Sequence, residues 1–111
     1  MAVTTDTIRR VQEGADWLDV YAPGWLDLVD LARLAMDDCT ACILGQVFAN
    51  RVTFDSEGHS ETGYDAGYRL GADMYALGFN DPTPAGLEDL HEAWAALITE
   101  RRIALITAGG T

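Results

Sequence analysis

The chain has 111 residues and a mass of 12.0 kDa, which is the size of a single domain. Hydrophobic residues make up 49% of it and charged residues 23%, so collagen-like, low-complexity and largely disordered classes are excluded. Seven basic against eighteen acidic side chains give a net charge of −11. Direct binding to nucleic acid or to an anionic membrane is therefore disfavoured, because both require cationic side chains that face phosphate.

The acidic excess is spread along the whole chain, so it belongs to the domain and not to a tail. The first residues show neither the cationic start nor the apolar segment of a secretory signal. No stretch approaches the roughly 18 apolar residues of a membrane span. We therefore expect a cytoplasmic protein in which Cys39 and Cys42 are reduced thiols.

The first segment predicts a helix from near Thr7 to Tyr21. Thr5 or Asp6 can cap its start by accepting backbone N–H groups, and Pro23 disfavours helical backbone at the residue before it. Four apolar residues recur at helical spacing and form the buried stripe of this helix: Ile8, Val11, Ala15 and Leu18.

Two more helices are predicted before the middle of the chain. Pro23-Gly24 predicts a turn into a helix over about 25–36. The acidic pair Asp37–Asp38 opposes the negative end of one helix and favours the positive start of the next, so a third helix is expected over about 39–49. Residues 51–62 are polar and predict a loop, with a short extended piece at its start. The apolar face of the helix over 25–36 consists of Trp25, Leu28, Ala32 and Ala35. That of the helix over 39–49 consists of Ile43, Leu44, Val47 and Phe48.

Residues 63–78 contain a glycine repeat that also predicts a helix. Gly63, Gly67 and Gly71 recur every four residues and would form a flat ridge. Each interior glycine costs a helix about 1 kcal/mol relative to Ala, so close packing of backbones is the expected reason for the ridge. Gly78 is expected just past the end of this helix.

Tyr64, Tyr68 and Tyr75 follow the same spacing and would form a stripe beside the glycines. One interpretation is that the stripe packs inside the domain. The other is that it is exposed and binds another protein or a second copy of the chain, because Tyr is enriched at binding hot spots. These three residues are the candidate partner-binding residues.

The last helix has the clearest start, because Thr83 can be its N-cap and Pro84 its first residue. Arg101 and Arg102 are expected near its negative end, with fraying beyond them. Its apolar stripe consists of Leu87, Leu90, Trp94, Leu97 and Ile98. The chain thus predicts an all-α fold: one compact domain over 1–111, a bundle of four to five short helices with flexible ends at about 1–5 and 106–111.

Cys39 and Cys42 form a C-x-x-C motif, which is typical of a redox dithiol or of half a zinc site. The βαβ context of a redox motif is missing. A zinc site would need His59 and His91, whose spacing does not match that of known zinc sites. We therefore favour buried thiols that act as small hydrophobic residues and expect no metal and no other cofactor, with a thiol- or metal-stabilised domain as a further alternative.

Catalytic motifs are also missing from the sequence. Serine occurs only at Ser56 and Ser60, and there is no Gly-x-Ser-x-Gly. The glycine repeat lacks the phosphate-binding pattern, and the chain has no Lys. We predict no catalytic residues and a protein that is not an enzyme.

Three short motifs suggest a relationship. They are Pro23-Gly24-Trp25, then Cys42-Ile43-Leu44-Gly45-Gln46, and then Gly78-Phe79 followed by Trp94 and Arg101-Arg102. In this order they resemble a group of small uncharacterised proteins from actinobacteria and their bacteriophages, over roughly residues 14–102. The Arg-only, Ala- and Gly-rich composition agrees with a GC-rich host. The resemblance implies an accessory protein of a phage or prophage and no established activity.

These observations lead to one main functional hypothesis and two alternatives. The main one is a non-enzymatic accessory protein that binds a host or phage protein, with homo-oligomer formation compatible with it. The first alternative is an acidic mimic of DNA that occupies a basic nucleic-acid-binding site. The second is the thiol- or metal-stabilised domain built on Cys39 and Cys42.

Overall fold

The computed structural model describes residues 4–38, 41–48 and 63–109. Within these ranges the chain forms no strand, and the all-α class expected from the sequence is confirmed. None of the described helices is both long enough and apolar enough to cross a membrane. The helices are α1 (Thr5–Tyr21), α2 (Ile43–Val47), α3 (Gly63–Arg69) and α4 (Pro84–Gly109), with a 3-10 turn at Trp25–Asp27.

The predicted first helix is confirmed, with its start moved by a few residues. Thr4, rather than Thr5 or Asp6, is the N-cap, because its Oγ1 accepts the backbone N–H of Thr7 at 3.2 Å. The inward face of α1 packs along α4, and α2 packs on α3. Three of the four predicted stripe residues are buried, namely Val11, Ala15 and Leu18, whereas Ile8 is exposed.

Aromatic rings fill the centre of the bundle. The Trp94 ring stacks on Phe79 with centroids 5.7 Å apart and meets Trp25 edge-on at 6.0 Å. The Trp94 indole N–H donates to the carbonyl of Gly78 at 2.6 Å. Trp17 adds edge contacts to Phe79 at 5.7 Å and to the buried ring of Phe48 at 6.2 Å. A buried indole therefore has both its apolar face and its polar N–H satisfied.

The predicted helix over 25–36 is wrong beyond its first turn. Gly24 has the left-handed backbone angle φ of +86°, and the 3-10 turn that follows it ends at Asp27. Residues 28–38 continue as turns and irregular backbone. Of the predicted apolar face only Trp25 is buried, whereas Leu28 is 51% exposed and Ala32 is exposed. The loop reaches the core through Val29, Leu34 and Met36 instead.

Side chains from distant helices form hydrogen bonds with backbone N–H and C=O groups that would have bonded to each other in a helix over 25–36. The Gln46 amide accepts the Asp30 N–H at 2.6 Å and donates to the Asp30 carbonyl at 3.2 Å. Arg102 donates to the carbonyls of Leu26 and Val29. Because buried backbone groups must be paired in some way, these bonds stabilise an irregular loop that local periodicity does not reveal.

The third predicted helix is shorter than expected. Cys42 is the N-cap of α2, and its Sγ accepts the backbone N–H of Gly45 at 3.3 Å. A turn precedes it, in which the N–H groups of Ala41 and Cys42 donate to the carbonyl of Asp38. Positions 39, 40 and 49 of the predicted helix, and the predicted loop over 51–62, lie outside the described residues.

The predicted helix over 63–78 is interrupted by Gly71. This glycine has φ of +89° and lies just past α3. The N–H of Ala72 donates to the carbonyl of Gly67 at 3.3 Å, and that of Gly71 donates to the carbonyl of Tyr68 at 3.0 Å. This pair of bonds is a Schellman motif, so Gly71 ends the helix and the expected ridge of three glycines does not form.

Gly67 is closely packed, but against a side chain and not against backbone, since a Cβ there would lie 2.8 Å from the Leu44 side chain on α2. Gly78, with φ of +71°, closes a second short turn through the bond from Phe79 N–H to the carbonyl of Met74 at 2.8 Å. The expectation that Gly78 lies just past the end of a helix over 63–78 is therefore wrong, because α3 ends at Arg69 and Gly78 belongs to a separate turn.

The last helix begins as predicted. Thr83 caps it by accepting the Gly86 N–H at 3.0 Å, and Pro84 is its first residue. The helix continues to Gly109, so the expectation that it ends near Arg101 and Arg102 is wrong. Both arginines lie inside α4 and bind other segments of the bundle.

Candidate protein-binding site

The three candidate tyrosines lie in different surroundings. Tyr64 is half-buried, and its hydroxyl accepts a hydrogen bond from the Asn80 amide at 3.2 Å. Tyr68, one turn further along α3, is 68% exposed. Tyr75 lies beyond the end of α3, so the three residues do not share one helical stripe. Tyr75 is 52% exposed. Partner binding by Tyr64, Tyr68 and Tyr75 stays a prediction.

Tyr75 belongs to an anchor around Arg10. Arg10 is only 3% exposed, and its guanidinium lies 3.7 Å from the Tyr75 ring centroid. Its Nε donates to the Tyr75 carbonyl at 2.7 Å, and its Nη2 to the Asn80 carbonyl at 2.9 Å. Its Nη1 pairs with the Asp81 carboxylate at 3.2 Å. One buried charge thus holds the segment between α3 and α4 against α1.

Asp81 connects this anchor to the start of α4. Its Oδ1 accepts the backbone N–H of Thr83 at 3.0 Å and the Thr83 hydroxyl at 2.9 Å. Burial raises the pKa of the Asp81 carboxyl, but the hydrogen bonds from Thr83 and Arg10 outweigh burial and leave that pKa below its ordinary value. Asp81 is therefore charged at neutral pH and serves the architecture of the loop.

The thiol and imidazole candidates are only partly described. Cys42 is buried, with its sulfur directed at the start of α2. His91 is half-buried on α4, whereas Cys39 and His59 lie outside the described residues. Within the described part of the chain, no cluster of three or more His, Cys, Asp or Glu side chains could hold a metal ion.

The residues that carry the sequence resemblance lie at packing positions. The Trp25 indole N–H donates to Asp19 at 2.9 Å, and Arg101 pairs with the same carboxylate at 3.2 Å. Gln46 and Arg102 hold the loop over 28–38, as described above. These contacts explain the motifs as determinants of the fold, so they do not by themselves point to a binding site.

Arginines interrupt the acidic surface of α1. Arg9 pairs with Asp6 at 2.7 Å and with Glu13 at 3.3 Å. Arg101 reaches across from α4 to Asp16 at 3.6 Å as well as to Asp19. Because positive charges stand between these carboxylates, this face does not present the unbroken row of negative charge that a DNA mimic requires.

A cleft of about 490 Å³ opens between the irregular loop and the first turns of α4. Two of its side chains, Leu34 and Met36, are buried in the core, and Leu87 is half-buried. The carboxylates of Asp37 and Glu88 are exposed at its edge. The remaining lining residues are Ala35, Pro84 and His91.

This combination of an apolar floor and an acidic edge suits one kind of group. Lys and Arg side chains bury their aliphatic stems on apolar surface while the charged head stays at the edge. Here a stem could lie on Leu87 and Met36 while the head faces Asp37 or Glu88. A negatively charged group would be repelled by the same carboxylates.

Sequence reasoning missed this cleft because it assigned the loop residues to a helix. The helical spacing predicts only the α4 side of the cleft, since Leu87 and His91 (i, i+4) lie one turn apart and Glu88 directly follows Leu87. The residues that complete the cleft come from a loop whose path depends on Gln46 and Arg102. No local signal predicts that path, and none predicts the burial of Arg10.

Comparison of the chain with protein-family models, with curated proteins and with solved structures finds no match.

Proposed function

We propose that this chain is a non-enzymatic accessory protein of an actinobacterial phage or prophage, and that it binds a basic segment of a host or phage protein in the cytoplasm. The observation that carries the proposal is the cleft beside α4. Its apolar floor and its edge of Asp37 and Glu88 match an Arg or Lys side chain of a protein partner.

The arrangement of buried polar groups supports a binding role over catalysis. Arg10 and Gln46 are buried, and every side-chain nitrogen and oxygen of each forms at least one hydrogen bond that holds a loop. Among the described residues, no buried side-chain nitrogen or oxygen lacks a hydrogen-bond partner. Active sites commonly keep such groups perturbed or unpaired for chemistry, whereas these buried polar atoms are accounted for by the fold.

The phage and actinobacterial origin rests on composition and on the motif series. All basic residues are Arg, and Ala and Gly are abundant, as expected from a GC-rich genome. The motifs around Trp25, Cys42, Phe79, Trp94 and Arg101 are those of the resemblance.

Charge reversal at the cleft tests the proposal. Glu88→Arg introduces a cation where the partner's cation would lie, so it should weaken binding by at least about 10-fold. Glu92→Arg is the matched control, because it changes the charge of the same helix by the same amount at an exposed position outside the cleft lining. The partner is first captured from an actinobacterial lysate by the wild type, and affinities of the purified pair are then measured by calorimetry.

The outcomes separate the hypotheses. Loss of affinity in Glu88→Arg alone supports the cleft. Equal loss in both variants would mean that the total negative charge governs binding, and competition by DNA for the same partner would then favour the DNA mimic. Unchanged affinity in both variants would rule out the cleft as the site.

A further inference from the structure

The second half of α4 presents apolar side chains to solvent. Ile103 is 58% exposed and Ile106 is 72% exposed, and Leu105 beside them is also exposed. The sequence from 103 to 109 contains no charged residue. In a chain with a net charge of −11, this is a stretch where another acidic molecule meets little repulsion.

Shallow grooves lined by small residues lie one turn earlier on the same helix. One groove of about 430 Å³ is lined by Ala95, Ala96, Thr99, Glu100 and Ile103. A second groove, of about 570 Å³, shares two of these residues and extends between α4 and α1, where it includes the exposed Ile8. Large exposed side chains therefore lie directly beside an open surface that includes Ala95, Ala96 and Thr99, with Glu100 in both grooves.

We propose that α4 pairs antiparallel with α4 of a second copy of this chain, about a two-fold axis level with Arg101. In that arrangement Ile103 of each copy comes level with Thr99 of the other, and Ile106 comes level with Ala96. Each large side chain then enters the partner's groove, as ridges enter grooves in packed helices. A two-fold axis makes the patch self-complementary, so both copies use the same surface.

Charge favours a second copy at this position. The same register brings residues 103–109 of one copy level with residues 93–99 of the other, and neither stretch contains a charged residue. Charged residues meet only at the centre, where each copy contributes Glu100, Arg101 and Arg102. Two acidic chains therefore meet here along a part of α4 that holds a single carboxylate per copy, although their other faces repel.

The size of the surface sets the expected strength. Residues 95–108 of α4 extend for about 20 Å. One face of a helix of this length buries less area than the roughly 800 Å² per partner of a standard interface. The groove toward Ile8 enlarges it only in part. The dimer should therefore be weak, with a dissociation constant in the micromolar range, and its population should rise with protein concentration.

Sedimentation equilibrium on the full chain tests the pairing. Over about 10 µM to about 1 mM protein, the average mass should rise from 12.0 kDa toward twice that value. Ile106→Glu should raise the dissociation constant at least about 10-fold. Val20→Glu is the matched control, because Val20 on α1 is equally exposed at 72% and lines none of these grooves. Circular dichroism verifies that both variants keep their helix content.

Cysteine pairs test the antiparallel register. Chains with Thr99→Cys mixed with chains carrying Ile103→Cys should form the mixed disulfide faster than either variant forms a disulfide with itself. Faster self-pairing of Ile103→Cys would indicate a parallel arrangement and would overturn the proposal. A constant mass of 12.0 kDa at every concentration would overturn it as well. So would a dimer that Ile106→Glu leaves intact, which would place the interface elsewhere. The acidic cleft lies at the other end of α4, so these results are independent of its test.

Discussion

At the residue scale, Arg10 and Arg9 are neighbours in sequence with opposite surroundings. Arg9 is exposed and pairs with carboxylates on its own helix. Arg10 is buried, stacks on Tyr75 and bonds to two carbonyls and to Asp81. A buried, fully bonded arginine contributes through several contacts at once, whereas an exposed ion pair is screened by water.

We therefore expect Arg10→Met to lower the free energy of unfolding by about 3 kcal/mol, because it leaves two carbonyls without their donor and removes the cation that pairs with Asp81. Urea unfolding followed by tryptophan fluorescence measures the change. Arg9→Met removes the same charge from the same helix and should leave the unfolding midpoint nearly unchanged. Equal losses in the two variants would show that overall charge, and not the anchor, is responsible.

The residues that could be predicted from sequence are those with a local reason. Thr83 and Pro84 mark the start of α4 through capping chemistry alone. Arg10 could not be recognised, because a charged residue on a helix is expected at the surface. Its burial depends on carbonyls that lie more than sixty positions away in the chain.

At the scale of elements, the helices with clear periodicity and caps were predictable and the loop over 28–38 was not. Its apolar spacing favours a helix, but Gln46 and Arg102 satisfy its backbone in another form. The glycine repeat also predicts a longer helix than the one that forms. Gly71 has the same spacing as Gly67, yet its positive φ ends α3. The cleft depends on the unpredicted loop, so it could not be found from the sequence.

At the start of α4, helix propensity and steric packing predict opposite effects of a Gly→Ala substitution on stability. In a helix interior, Gly→Ala usually stabilises by about 1 kcal/mol. At Gly86, an added Cβ would lie 2.0 Å from the Asp81 carboxylate, which Arg10 and Thr83 hold in place. We therefore expect Gly86→Ala to destabilise the protein by about 1–3 kcal/mol, as overpacking does.

A double-mutant cycle separates the two rules. When Asp81→Ala has removed the carboxylate, the further change Gly86→Ala should stabilise the protein, because only helix propensity remains. Thermal unfolding of the four proteins in the cycle gives the measurement. If Gly86→Ala stabilises the wild type as well, Asp81 is not held as firmly as its three contacts imply.

At the scale of the whole molecule, negative charge and internal pairing act in opposite directions. Eleven net negative charges repel one another over the folded surface. Three arginines place positive charge among the carboxylates of α1 and beside the half-buried Asp81. Salt distinguishes the two effects, since it screens exposed charges over about 10 Å at 0.1 M but screens buried pairs much less.

We expect net repulsion to be the larger effect, because the net charge is −11 even when every arginine is set against a carboxylate. The Arg10–Asp81 pair is also shielded from salt, so added salt does not weaken it. Raising NaCl from about 0.01 M to about 0.5 M should then raise the midpoint of thermal unfolding by about 5 °C, corresponding to about 1 kcal/mol. Calorimetry on Ile106→Glu, at low protein concentration, keeps self-association out of the measurement. A midpoint that falls as salt is added would mean that the exposed arginine pairs on α1 outweigh the repulsion, and it would assign them a larger share of the stability than isolated surface pairs usually have.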